Sequence, residues 1–399
     1  MPQVTEEETL FDVAPDEESE DDLAPSTPEA ASQAVVSGTD WTAATIINQL
    51  DRGTIELDPS FQRREAWTDL RKSAFIESLI LGLPIPQLVL AERADRRGAY
   101  LVIDGKQRLL ALRRFAASPE SGFEPLTLRH LEVRKDLEGY TLADMRAANG
   151  LFEDVSAFEN QPIRTVVVKA WPDESFLFRV FLRLNNGSVR LTPQELRQAL
   201  HPGPFINFAD EWSANSQAIR KALNLKKPDF RMRDVELLIR FMGFHLFLAD
   251  YAGSLKGFLD ETCASLNSAW SERQAEVEDA AQNCDSAINA TQEIFGEDAF
   301  RQPIGNGRRG RFNRAIFDVM AYYFSDAEIR DEAVEKAETV KALFEVVWVS
   351  DKDFVEAITR TTKSIPATHS RLAAWGNALN DVLDQDIPVP KLEGNRIHP

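Results

Sequence analysis

Apolar positions recur with two periods over the first half of the chain. Residues 40–50 (DWTAATIINQL) space Ile46, Ile47 and Leu50 along one helical face, with Thr42 placed as a cap. A short extended stretch follows at 54–57. Residues 69–81 form a second helix in which Leu70, Ala74, Ile76, Leu79 and Ile80 supply the apolar face. Gly82 stops it, and Pro84 and Pro86 prevent its resumption. Residues 87–91 and 100–103 read as strands joined by a polar turn at 95–98. Asp104-Gly105 turns the chain into a helix over 106–115, with Leu109, Leu110 and Leu112 facing inward. The pattern over 118–160 is mixed and predicts loops and short strands. Residues 163–170 (IRTVVVKA) form a buried strand rich in β-branched residues, and 174–184 a further helix.

Beyond Asn185 the character changes. Thr192-Pro193-Gln194-Glu195 is a helix start, with threonine as cap, proline at the first helical position and glutamate closing the box. From there nearly everything carries helical spacing, chiefly at 235–248, 255–294, 314–324, 331–347 and 370–383. The expected layout is an α/β N-terminal domain over 40–200 and a mainly α-helical C-terminal region over 201–399.

Charge changes the reading of the first 39 residues. The formal net charge is −19, yet the imbalance is concentrated at the start. Glu6, Glu7, Glu8, Asp12, Asp16, Glu17, Glu18, Glu20, Asp21, Asp22 and Glu29 all precede Arg52, the first basic residue. With Pro15, Pro25 and Pro28 among them, residues 1–39 read as a disordered acidic tail. Without it the remainder is only modestly acidic, so DNA binding is not excluded. No apolar run approaches the roughly 20 residues of a membrane span, and the first residues lack a secretory pattern. The expectation is a cytoplasmic protein that does not contact membrane. Cys263 and Cys284 fall in one long helical stretch, about 30 Å apart if it is straight; two reduced structural thiols follow.

Three patches place polar groups beside apolar structure: Pro59-Ser60-Phe61-Gln62-Arg63 with Trp67 beyond it, Asp104-Gly105-Lys106-Gln107-Arg108, and Arg183-Leu184-Asn185-Asn186-Gly187. In the second, a glycine between strand and helix permits close backbone approach. The free amides and positive dipole end of the helix start then favour an anion, phosphate above all. Arg108, one turn into the helix, adds a charge-assisted fork. Asp104 can hold a metal or orient a water. Taken alone, the same residues also fit a helix cap and a surface ion pair.

The order of motifs is more specific. Phe61-Gln62-Arg63, Trp67, Ile76-Glu77-Ser78-Leu79, Gly82-Leu83-Pro84-Ile85-Pro86 and Ile103-Asp104-Gly105-Lys106-Gln107-Arg108-Leu109 together resemble the GmrSD restriction endonuclease N-terminal domain family. Phe181-Leu182-Arg183-Leu184-Asn185-Asn186-Gly187, Leu191 to Arg197 and Arg231 to Phe241 extend the resemblance over roughly residues 40–250. It implies a ParB/sulfiredoxin-like fold, binding and in some members hydrolysis of nucleoside triphosphates at an Asp-Gly-Gln-Gln-Arg motif, and work on DNA in restriction or phage defence. Carried onto this chain, it implies Asp104, Gln107 and Arg108 as catalytic residues, with Asp104 the Mg²⁺ ligand. Gln62, Arg63, Gly105, Lys106 and Asn185 would bind the nucleotide. Lys106 departs from the motif's first glutamine, which bears on hydrolysis more than on binding. Many relatives carry a His-Asn-His nuclease, but His130, His201, His245, His369 and His398 are scattered; cleavage would then fall to a separate nuclease chain.

Gly305–Arg314 (GNGRRGRFNR) is a basic, glycine-rich stretch. Arg308, Arg309 and Arg311 are candidates for DNA contact, with Phe312 placed to stack on a base; pairing of these arginines with carboxylates is the alternative. The leading function is a nucleotide-binding, NTP-hydrolysing, DNA-associated restriction protein. Its rivals are a non-catalytic DNA-binding module and a nuclease with metal held by Asp104 and a glutamate such as Glu77.

Overall fold

The computed structural model describes residues 33–57, 64–118, 120–184, 192–303, 309–360 and 362–399. They fall into two compact units that divide between Leu200 and His201.

The N-terminal unit is built on a four-stranded mixed sheet, β1 (Val35–Thr42), β2 (Leu88–Glu92), β3 (Tyr100–Asp104) and β4 (Pro162–Lys169), in the order β1-β4-β2-β3. β1 runs antiparallel to β4, β4 parallel to β2, and β2 antiparallel to β3. Alternate residues of a strand point to opposite faces, and here both faces are covered. Leu88, Leu90 and Ile163 join a core with α1 (Ala43–Asp51), α2 (Asp69–Ile80), α3 (Lys106–Phe115), α4 (Leu142–Ala147) and α5 (Phe152–Asn160). Val89, Ala91, Leu101, Ile103 and Val168 pack on the other side with Leu177 and Phe178 of α6 (Glu174–Leu184) and Leu196 of α7 (Pro193–Leu200). A sheet buried on both faces explains why β2 reads as a continuous apolar run rather than an alternating one.

Helix starts follow local chemistry. Thr42 caps α1, its hydroxyl accepting from the Thr45 amide at 3.1 Å, and Thr68 caps α2. Thr192 and Glu195 form the expected reciprocal box at α7. Two expectations are corrected. Residues 118–160 contain two helices, α4 and α5, rather than short strands; a Thr141–Asp144 capping box nucleates α4. The segment assigned to the tail reaches into β1, which begins at Val35.

The C-terminal unit is helical, with α8 (Pro204–Asn215), α9 (Gln217–Ala222), α10 (Arg233–Phe247), α11 (Leu255–Ser268) and α12 (Trp270–Phe295), then α13 (Arg314–Phe324), α14 (Ala327–Glu335), α15 (Ala337–Ser350), α16 (Lys352–Thr359) and α17 (Ile365–Asn380). Two short hairpins, β5 (Arg301–Pro303) with β6 (Arg309–Phe312) and β7 (Lys391–Glu393) with β8 (Arg396–His398), complete it. The long helix expected at 255–294 is broken at Ala269, and the one at 331–347 at Lys336. Cys263 and Cys284 are buried free thiols.

Charge is buried at the centre of this unit. Arg240 of α10 donates from Nε and Nη2 to the two carboxylate oxygens of Asp318 on α13, at 3.0 and 2.5 Å. Arg371 of α17 reaches the same carboxylate at 3.3 Å. Arg314 Nε lies 2.9 Å from Glu236 Oε1. These pairs lock three helices in one register, and removing Arg240 takes two charged hydrogen bonds from the buried Asp318 carboxylate. Arg240→Met is expected to lower the unfolding free energy by ~3–5 kcal/mol, the usual cost of breaking a buried pair. Urea denaturation followed by circular dichroism checks this, and a loss under ~1 kcal/mol, the scale of an exposed pair, would refute it.

Candidate functional site: the turn between β3 and α3

β3 ends at Asp104, α3 starts at Lys106, and Gly105 between them adopts a left-handed conformation with φ 105°. A Cβ at this position would collide with Leu88 Cδ2 and sit 3.3 Å from Arg108 Nη2. Glycine is therefore required both by the backbone angle and by the space. Arg108 folds back over the turn, its Nη2 donating to Asp104 Oδ2 at 2.8 Å. The Arg108 side chain is 7% exposed and that of Asp104 27%. Arg108 Nη1 is buried and has no hydrogen-bond partner among the described residues. A buried guanidinium donor left unpaired is costly, and this one lies beside a helix start that itself favours anions.

Gln107 takes a different position from the one its motif suggests. Its Oε1 accepts from the backbone amides of Ala66 and Trp67, at 3.2 and 3.1 Å. At the far end of α3, Arg114 Nη1 donates to Glu65 Oε2 at 2.9 Å and to Asp69 Oδ1 at 2.8 Å, and Lys72 also pairs with Glu65. The segment around Glu65–Trp67 is thus fastened along the whole length of α3. Trp67 packs edge-on against Phe75 and under Arg71, as a packing residue. Gln62 and Arg63, which precede this segment, lie outside the described residues.

Lys106 is turned toward α7. Its Nζ lies 3.2 Å from Glu195 Oε1, and both side chains are under a tenth exposed. The other carboxylate oxygen of Glu195 accepts from the Thr192 amide at 2.8 Å. One carboxylate therefore closes the capping box of α7 and holds the first residue of α3. This contact spans 89 positions and was not visible in the sequence, where Lys106 read as a phosphate ligand. Asn185 lies outside the described residues.

Residues 44–202 match the family model described as GmrSD restriction endonuclease, N-terminal domain. This segment belongs to that family. The match covers β2, β3 and β4 of the sheet, the β3–α3 turn and α7, and it ties the GmrSD-type domain to DNA and restriction systems. A search of the curated proteins finds no match to the chain, and neither does a search of the solved structures.

The remaining candidates are distributed elsewhere. Glu77 of α2 accepts from the backbone amides of Glu132, Val133 and Arg134 at 3.1, 2.8 and 2.7 Å. Burial pushes its carboxyl upward, but those amides and the Arg134 charge outweigh that and hold it below its ordinary value. It organises a loop and is committed there. Among the described residues, no group of three His, Cys, Asp or Glu is arranged to hold a metal ion. Arg308 lies outside the described residues, and of Arg309 only the backbone is described. Arg311 sits on β6. Phe312, read as a stacking platform, is 2% exposed and packs against Phe300 and Phe317 instead. Arg314 is drawn into the core by Glu236. No helix among the described residues is long and apolar enough to cross a membrane.

Two substitutions test this geometry. Lys106→Met removes the cation paired with a buried carboxylate and is expected to cost ~3–5 kcal/mol, whereas Lys106→Met combined with Glu195→Gln recovers most of that loss; additive losses in urea melts would refute the pairing. Gly105→Ala forces a β-carbon into an αL turn against Leu88, at a cost of more than ~1 kcal/mol. A melting temperature equal to that of the wild type would contradict that account.

Proposed function

We propose that the GmrSD-type domain binds a nucleoside triphosphate with its phosphates on the Gly105 turn, and hydrolyses it in the course of an action on DNA. The observation that carries this reading is Arg108. It is a buried guanidinium with one nitrogen on Asp104 and another unpaired among the described residues, laid over a left-handed glycine at a helix start. Phosphate oxygens supply the acceptor that Nη1 lacks, and the exposed N–H groups of the first helical turn add to the attraction.

Asp104 fits Mg²⁺ as a single carboxylate ligand, since this ion is commonly held by one or two carboxylates plus substrate phosphates and waters. Bound there, Mg²⁺ would neutralise phosphate charge. The protein's own contribution is positioning. Asp104 orients the Arg108 guanidinium, and Gln107 fixes the segment beyond Arg63 rather than touching ligand through its Oε1. Lys106, paired with Glu195, holds α7 beside the turn. DNA, a nucleoside triphosphate and a separate nuclease chain are the proposed partners.

The engagement of Gln107 and Lys106 favours a second reading, in which the domain binds phosphate, of a nucleotide or of DNA, without turnover. In that case DNA affinity falls steeply with salt and no phosphate is released. A nuclease acting through Asp104 and Glu77 draws no support from the geometry, because the Glu77 carboxylate is occupied by three amides.

The test is Mg²⁺-dependent phosphate release and equilibrium binding with the four ribonucleoside triphosphates, with and without DNA. Arg108→Ala is expected to weaken nucleotide binding by ~10- to 100-fold, the scale of a charged hydrogen bond, and Asp104→Ala to abolish release. A folded wild type that binds no nucleotide overturns the reading; binding without release establishes the non-catalytic version.

A further inference from the structure

Helix α7 carries an unusual set of buried amides. Gln194 is 1% exposed and Gln198 7%. Gln194 Oε1 accepts from Arg197 Nη1 at 2.7 Å, which fixes the carboxamide and leaves Nε2 as a donor with no hydrogen-bond partner among the described residues. Gln198 Oε1 is an acceptor in the same condition. Each such group costs on the order of 1–3 kcal/mol if it stays unpaired.

The faces of the helix show what these amides are for. At 100° per residue, Gln194, Gln198 and Glu195 share one arc of about 100°, while Leu196 and Leu200 lie opposite. Leu196 and Leu200 pack into the core behind the sheet. The opposite arc is therefore the one that Glu195 presents to Lys106, 3.2 Å away. The pair sets the first turn of α7 against the first turn of α3. The unpaired donor of Gln194 and the unpaired acceptor of Gln198 thus lie on the helix that this pair fastens to the β3–α3 turn, which carries the unpaired Nη1 of Arg108.

We propose that Gln194 and Gln198 are the base-recognising pair of this site: a carboxamide donor and a carboxamide acceptor that bond the edge of the nucleobase whose phosphates sit on the Gly105 turn. This rests on the nucleotide reading above and deepens it. A donor beside an acceptor complements an acceptor beside a donor, which is the pattern the polar edges of nucleobases present. A site built to hydrogen-bond a ligand rejects one that leaves its buried groups unpaired. Arg108 takes the phosphates and is indifferent to the base; the amides of α7 discriminate.

The experiment measures dissociation constants of the full chain for ATP, GTP, CTP, UTP and inorganic tripolyphosphate, all with Mg²⁺. Wild type is compared with Gln198→Met, which removes the acceptor at similar volume, and Gln194→Glu, which keeps the oxygen that Arg197 holds and removes the donor. Wild type is expected to favour some bases over others by ~10-fold or more, since one or two buried hydrogen bonds are at stake. Both variants should bring the four affinities within ~3-fold of one another, with the tripolyphosphate constant unchanged within ~2-fold. The pairing is overturned if wild type binds all four bases equally, if the preference survives in both variants, or if tripolyphosphate binding falls in step with nucleotide binding. If wild type binds neither nucleotides nor tripolyphosphate, the nucleotide reading itself fails, and this proposal with it. Tripolyphosphate binding with no base preference leaves the phosphate site standing and removes only the role of α7.

Discussion

The arrangement around the β3–α3 turn depends on the buried ion pair between Lys106 and Glu195. Each charge alone would be expensive where it sits, since desolvation penalises an unpaired ion far more than a neutral group. Together, and with the Thr192 amide on the second carboxylate oxygen, they are tolerated in one relative position of the two helices. α3 covers one face of the sheet and α7 the other, so the pair works as a clasp around the end of β3. It also divides the labour among the cations. Lys106 is spent on architecture, and the Arg108 guanidinium remains the charge at the turn.

Much of this unit was legible in the sequence because its signals are local. Helix α3 starts and ends where its spacing predicts, and the Thr192–Glu195 box forms as read. β4 is where its β-branched run places it. What was not legible depends on distant partners. β1 contains Ser37, Gly38 and Asp40 and is largely exposed; it is a strand because β4 pairs with it, not because its own residues favour one. The roles of Lys106 and Gln107 depend on contacts 89 and about 40 positions away. Gln194 and Gln198 resemble an ordinary solvent-facing side of an amphipathic helix, and only their burial separates them from one.

The C-terminal unit repeats the device of a buried charge cluster with another purpose. The resemblance over Arg231 to Phe241 drew attention to a segment whose Glu236 and Arg240 meet Arg314, Asp318 and Arg371 inside the helical core. The same contacts remove Arg314 from the basic stretch to which its neighbours in sequence assigned it. Phe312 follows it inward, where Phe300 and Phe317 receive it. Basic and aromatic residues side by side suggest a nucleic-acid surface; here two of them complete a core.

The separation of Lys106 from Glu195 has a consequence for how the domain comes into being during synthesis. A chain leaving the ribosome presents the β3–α3 turn long before it presents α7. β1, the first of the described strands to emerge, must wait for β4, whose Ile163 lies opposite Trp41. Until both arrive, the sheet lacks an edge and Lys106 lacks its counter-ion. The nascent turn therefore precedes the helix that holds Lys106, and the link between α3 and α7 is the last of these contacts to form.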